Sequence, residues 1–440
     1  MKKSVLAAAG LLFLSATLAA DAPAGHYKNF RVAIYVRVDS TIKMADPAEA
    51  KREFDRVMSQ VKFDKVYEEV YRDGQFATDA QIEATKKFFE SKGIIVSGGV
   101  TLAAGNINGQ FVAFDYESPT DRAMAEKAIR LAARHFNQLT LDDFFFFNSK
   151  SDADIKAKGS RSWTQYRLDA MRKVAQDVVL GPAKQVNPAI KVTIKYPNWY
   201  EHFQGLGFDL DKEAKMFDSI YTGTETRDPD ITDQLLQQYE SYEIIRYYDN
   251  IRPGGGNHGG WVDTYDVRYA DRYAEQLWDT MFAKAPEITL FSWAEMASPD
   301  AIAPGNRDAW KDMATSFNWN AMVKGYQGGG AGPGWASVAG AALTGVDASI
   351  GALGNPIGIA SYKPYQSQGE DFLQNYLGNI GIPIEMTPNF PTDANIVLLT
   401  EQAKADPQIV AKIKAQLMAG KSVVITSGLL RALQDKGIRD

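Results

Sequence analysis

Cysteine is absent from the 440 residues, which excludes disulfides, thiolate zinc sites, cysteine nucleophiles and a lipid-anchored cysteine. Histidine is scarce, at four residues (His26, His135, His202 and His258), and none are paired at the i, i+4 spacing of a zinc helix. No metal or other cofactor is therefore expected, and any hydrolysis must rest on carboxylates. Basic clusters are missing too: the formal charge of −6 is spread along the chain, which argues against nucleic acid or an anionic membrane as partner. Long apolar runs are confined to the N-terminus. There Met1-Lys2-Lys3, an apolar stretch from Val5 to Leu18 and the small residues Ala19 and Ala20 read as a cleaved signal over 1–20. A periplasmic or secreted protein acting on a neutral or small polar substrate is expected.

What the sequence does contain is a repeated alternation. Eight short β-rich runs begin at Phe30, Phe63, Gly93, Gln138, Ile190, Phe217, Tyr242 and Glu287. Segments with helical periodicity lie between them, for example Asp79 to Ser91, Ser118 to Phe136, Trp163 to Val179 and Asp266 to Phe282. Eight strand–helix units predict an α/β protein with a closed (β/α)8 TIM barrel over 26–324, an open doubly wound sheet being the alternative. The Gly/Ala-rich stretch 325–354 carries almost no charge and reads as a linker or a loop packed under the barrel. A different α/β pattern over 355–440 predicts a small flavodoxin-like domain, incomplete in having too few strands for a doubly wound sheet of ordinary size, and without chemistry of its own.

In such barrels reactive groups project from the C-terminal ends of strands. Strand four ends in Asp142-Asp143. Neighbours on a strand face opposite sides, so at most one of the two is expected in the mouth; Asp143 lies nearer the loop. Strand six ends Thr222-Gly223-Thr224-Glu225, and strand eight ends Ser292-Trp293-Ala294-Glu295. Asp142, Asp143, Glu225 and Glu295 are the candidate catalytic acids. Each has a structural counter-reading: loop capping for the aspartates, a salt bridge with Arg227 for Glu225, and bonds to substrate hydroxyls alone for Glu295. Arg37, Tyr71, Arg72, Trp199, Tyr200, Arg227, Arg246 and Trp293 recur at the same strand ends. They form a candidate sugar cleft, since aromatic faces suit the C–H face of a pyranose and tyrosine and tryptophan keep a polar handle for its hydroxyls. The Phe144 to Phe147 run reads as packing. The glycine-rich Arg252 to Trp261 lacks Walker and dinucleotide spacing and reads as a mobile loop over the cleft.

At these residues the chain resembles known proteins. LTLDDFFFFN, KYPNWYEHFQGLGFD and IYTGTETRDP resemble segments of TIM-barrel glycosyl hydrolases. The tail is similar to the amidotransferase-like trimerisation domain that follows the barrel in family-42 β-galactosidases, which implies a possible homo-oligomer through the C-terminal domain. The catalytic glutamates of those enzymes, after strands four and seven, have no counterpart here. A strand-four aspartate with a strand-six acid is instead similar in position to the clan of α-galactosidases and α-glucosidases. That resemblance implies a glycoside hydrolase, an α-linkage, a strand-four aspartate as nucleophile, Glu225 as acid/base and retention of configuration. A non-catalytic carbohydrate-binding or scaffolding barrel is the alternative from another class. A two-lobed solute-binding protein is a third reading, disfavoured by the eight-run pattern.

Overall fold

The computed structural model describes residues 25–107, 110–199, 203–228, 231, 237–302 and 334–439. Eight parallel strands close into a barrel: β1 (Arg31–Val36), β2 (Lys65–Glu69), β3 (Ile95–Val100), β4 (Gln138–Leu141), β5 (Lys191–Tyr196), β6 (Ser219–Gly223), β7 (Asn257–Val262) and β8 (Glu287–Phe291). Each pairs with its sequence neighbours, and β1 closes the ring against β8, with Ile34 opposite Leu290 and Tyr35 opposite Phe291.

Period-two alternation sorts the side chains. On β1, Val32, Ile34 and Val36 face the helices and join a core with Ile288, Leu290, Phe54 and Met281. Ala33 and Tyr35 point inward, where they meet Tyr67, Tyr221, Trp261 and Phe291. The helix Pro119–His135 shows how the outer layer is specified: Ser118 caps it by accepting from the Asp121 N–H, Pro119 occupies the first turn, and Ala125, Ala128, Ile129 and Ala132 form the buried stripe.

Two expectations about the order of elements are corrected. The run from Tyr242 is not the seventh strand: Glu240–Ile251 is a helix, whose buried residues Ile244, Tyr247, Tyr248 and Ile251 recur at helical spacing. The strand is Asn257–Val262, inside the glycine-rich stretch read as a mobile loop. Its glycines serve close approach. A Cβ at Gly259 would run into the Glu287 carbonyl oxygen, and one at Gly260 into the Thr280 methyl. The Gly/Ala-rich segment is likewise more than a linker, since Trp335–Ile350 is a helix packed against the helix Ala270–Phe282. Its small residues let two helices approach closely; Ala339, Ala342 and Leu343 are fully buried there.

The C-terminal unit is a four-stranded parallel sheet of β9 (Ile359–Tyr362), β10 (Ile384–Thr387), β11 (Ile396–Leu399) and β12 (Ser422–Ile425), in the order β10-β9-β11-β12. That order is flavodoxin-like, with the switch point between β9 and β11. The unit docks on the barrel helix Glu240–Ile251. Arg246 forks onto Glu385 at 2.8 and 3.1 Å, Asn250 donates to Glu385 and to the Met386 carbonyl, and Ile384 and Met386 share a core with barrel residues.

Candidate active site

Following the inward parity to the mouth gives the site. Beyond Lys65 and Tyr67 on β2 comes Glu69; beyond Ser97 and Gly99 on β3 comes Thr101; beyond Gln138 and Thr140 on β4 comes Asp142. Lys195 follows Lys191 and Thr193 on β5, Glu225 follows Tyr221 and Gly223 on β6, and Asp263 follows Trp261 on β7. Glu69, Thr101, Asp142, Lys195, Glu225 and Asp263 are all buried and converge.

Lys195 is the hub. Its Nζ donates to Asp143 at 2.6 Å and to Glu225 at 3.0 Å, lies 3.4 Å from Asp142, and sits 4.5 Å from the centre of the Trp261 ring. Arg72 bonds Asp142 at 2.8 Å and Glu69 at 3.0 Å. Glu69 also accepts from the Tyr35 hydroxyl and the Val38 N–H, each at 2.8 Å. Asp142 further accepts from Thr101 and from the Asp143 N–H. Arg227 pairs with Asp263 at 2.9 Å, and Asn198 donates to the Glu225 carbonyl.

The environment separates the acids. Burial opposes the charge on Asp142, but Lys195 and Arg72 outweigh it and hold this carboxyl below its ordinary range. Burial dominates at Asp143, pushed up to about 6, and at Glu225, pushed up to about 7, with Lys195 opposing the rise in both. Lys195 itself is buried, yet Asp143, Glu225 and Asp142 raise its pKa above the ordinary lysine value. An aspartate held below its ordinary range thus stands beside two acids pushed up to about 6 and about 7, a separation that suits general acid–base chemistry. Among the described residues, no group of three or more histidines and carboxylates is arranged to hold a metal ion.

The candidates divide accordingly. Asp142, Asp143 and Glu225 come together, but the expectation that only one aspartate enters the mouth is corrected. Regular β structure ends at Leu141, so strict alternation lapses and both carboxyls reach Lys195. Glu295 lies on the short helix Trp293–Ala297 after β8 and, among the described residues, shares no hydrogen bond or ion pair with the cluster. Trp293 is fully buried outside the barrel, packs edge-on against Phe63 and Phe89, and donates to Glu53, so it is no cleft residue. Tyr71 is also buried, its hydroxyl bonded to the Ala103 carbonyl. Arg246 belongs to the domain junction. Arg72 is tied to Glu69 and Asp142 and orients acids. Arg37 sits at the rim, 3.3 Å from the Tyr265 hydroxyl, and half-buried Trp199 packs against Phe146. Tyr200 lies outside the described residues. Lys195, Glu69, Thr101, Trp261 and Asp263 were missed, although their inward parity was readable. An open depression of about 340 Å³ lined by Lys184, Phe217 and Asp218 lies at the other, N-terminal end of β6, away from these acids.

Residues 19–352 match the family described as "Probable glycosyl hydrolase, catalytic domain". The chain belongs to that family. Residues 354–439 match the second domain of the uncharacterized protein SSO3021. That Saccharolobus solfataricus protein is 26% identical over 412 residues, covering 85% of this chain; the alignment spans only 62% of the relative's length. Among solved structures, the fold resembles a cold-adapted β-galactosidase from Rahnella sp. R3, with a TM-score of 0.58, 11% identity and coverage of 91% of this chain and 71% of that one. It also resembles α-L-fucosidase isoenzyme 2 from Paenibacillus thiaminolyticus, with a TM-score of 0.57, 10% identity and coverage of 90% and 64%. The fold is thus a TIM-barrel glycoside hydrolase fold with a small parallel α/β domain behind it.

Proposed function

We propose that the protein hydrolyses an α-glycosidic bond of an oligo- or polysaccharide with retention of configuration, Asp143 acting as nucleophile and Glu225 as acid/base. One observation carries this reading: Asp143 Oδ2 and Glu225 Oε1 contact the same Nζ at 2.6 and 3.0 Å. Those oxygens lie no farther apart than the two contacts combined, which supports the ~5–5.5 Å spacing of retaining enzymes over the ~6.5–9.5 Å that accommodates a water in inverting ones. Asp143 on the strand-four side and Glu225 after strand six also match the positions in the α-galactosidase clan, which is the ground for the α-linkage. In the first step Glu225 protonates the leaving glycosidic oxygen while the Asp143 carboxylate attacks the anomeric carbon. In the second, water attacks that carbon, Glu225 takes its proton, and the Asp143 carboxylate leaves. Asp142, with four partners already, positions Lys195 and the turn.

The same lysine also favours a second reading, a carbohydrate-binding barrel without turnover, because it occupies both acids at once. One experiment separates the two. An aryl-glycoside panel should find a substrate whose first-formed product, observed by NMR, keeps its anomeric configuration. Asp143→Asn should abolish turnover, whereas Glu225→Gln should spare activated aryl glycosides, whose leaving groups need little protonation. An inverted product, or full activity of Asp143→Asn, would defeat the mechanism; absence of turnover with retained sugar binding would establish the binder. The N-terminal run is the ground for placing this activity in the periplasm or outside the cell, and the flavodoxin-like unit is the surface proposed for any homo-oligomer.

A further inference from the structure

The loop that follows β3 is built as an antiparallel hairpin, Ala103–Ile107 against Gln110–Ala113, at the mouth end of the barrel. Its root is fixed to the acid cluster, because Thr101, two residues before the hairpin, bonds both Glu69 and Asp142. Phe111 projects from the second arm, 42% exposed, and its ring lies 4.1 Å from that of Phe144, tilted by 44°. Phe144 is the residue directly after Asp143. It is half-buried, whereas Phe145, Phe146 and Phe147 beyond it are buried, as packing residues should be. From Phe144 the aromatic line continues to Phe146 at 6.2 Å and on to Trp199 at 6.0 Å, the residue next to the Asn198 that holds the Glu225 backbone.

Contact with Phe144 covers part of the Phe111 ring and leaves the rest in water, at a cost of about 25 cal/mol per Å² of apolar area that a ligand would remove. A pyranose ring offers the complementary flat C–H face, and an aromatic pair adds contact area without donors or acceptors to satisfy.

We infer that Phe111 and Phe144 form a glycosyl-binding platform beside the cleavage point, occupied by a sugar unit of the same chain next to the one attacked by Asp143. The inference rests on the proposed hydrolase reading and deepens it by naming the side chains that hold the sugar unit next to the cleaved bond.

The test uses the full chain, the variants Phe111→Ala and Phe111→Tyr, neutral oligosaccharides from disaccharide to hexasaccharide, and the matching monoglycosyl fluorides, whose leaving group cannot stack on the platform. Phe111→Ala should lower kcat/KM for the longer oligosaccharides by about 10-fold, mainly through KM, and leave the monoglycoside rate unchanged; Phe111→Tyr should restore the loss. The exposed position keeps folding out of the comparison, and an unchanged Tm confirms it. Equal loss on both substrate types, or no loss on oligosaccharides, overturns the platform. If the wild type cleaves nothing, the hydrolase reading fails separately, and the platform is then judged by affinity electrophoresis in gels containing neutral polysaccharides. Retardation of the wild type but not of Phe111→Ala upholds it, and equal mobility overturns it.

Discussion

Lys195 is the residue on which the site's electrostatics turn. Three carboxylates share its single buried charge, and of these three only Asp142 has a second cation, Arg72, which also pairs with Glu69. Removing it in Lys195→Met leaves buried acids uncompensated, a change that costs on the order of 3–5 kcal/mol when one partner of a buried pair is deleted. The acids respond by binding protons: Lys195 opposes the rise at both Asp143 and Glu225, so its loss moves both titrations upward. In the wild type, turnover needs Asp143 ionised and Glu225 protonated, which predicts a bell-shaped kcat/KM profile with its acid limb near about 6 and its alkaline limb near about 7. Lys195→Met should show a profile displaced to higher pH and at least ~100-fold lower at its maximum. A profile of unchanged position would mean that the lysine does not set these acids. Glu225→Gln should lose the alkaline limb on activated aryl glycosides, because no proton donor remains to titrate.

Strand β7 shows which elements are visible in a sequence and which are hidden. Strands β1, β5 and β8 announce themselves through Phe30–Val38, Ile190–Tyr196 and Glu287–Phe291, where aliphatic, mostly β-branched residues facing the helices recur at every second position. The strand Asn257–Val262 carries two glycines and a histidine, composition that weighs against a strand on propensity, while the nearby Tyr242–Tyr248 has aromatic residues that a strand also favours. Tertiary packing decides the outcome: the Glu287 backbone of β8 and Thr280 of the helix Ala270–Phe282 come so close to Gly259 and Gly260 that side chains at those two positions would not fit. The site was legible to a similar degree. Asp142, Asp143 and Glu225 interrupt apolar runs and stand out, whereas Lys195 hides inside a strand and is found only by counting inward positions. Trp293 and Glu295 misled because β8 ends at Phe291 and the chain turns at once into a helix. The packing account makes a prediction at this scale. Gly259→Val should destabilise the barrel by more than ~2 kcal/mol, seen as a lower Tm, since a Cβ there meets backbone that has no rotamer to yield. The same change at Gly254, which has nothing near its Cβ but a φ of +75°, should cost only about 1 kcal/mol, through backbone strain alone.

At the scale of the molecule, the question is whether barrel and tail behave as one body. Their junction is more than a surface touch: Ile384, Met386 and Leu398 of the small sheet are buried in the same core as Ile244, Tyr247 and Tyr248 of the barrel. Polar groups fix its register. Arg246 holds Glu385 with two bonds, the Tyr239 hydroxyl accepts from the Ile384 N–H, the Tyr247 hydroxyl donates to the Lys363 carbonyl, and Gln366 bonds Asp209. Arg246 and Glu385 keep 15% and 23% side-chain exposure, so their bond is screened less than a surface pair but more than a buried one. Arg246→Ala leaves Glu385 with Asn250 and should cost about 1–2 kcal/mol. The cost falls on docking, because the small sheet has its own core of Tyr362, Val397, Leu399, Ile409 and Leu429. The shared core predicts a single calorimetric transition for the wild type, and the variant should split it, with the tail melting first and the barrel close to its original Tm. Proteolysis should cut the connecting residues 351–358 sooner, and kcat on an aryl glycoside should be unaffected, since Arg246 lies outside the mouth. An intact single transition at the wild-type Tm would show that apolar packing alone holds the two together, and a loss of kcat would show that the tail shapes the active site.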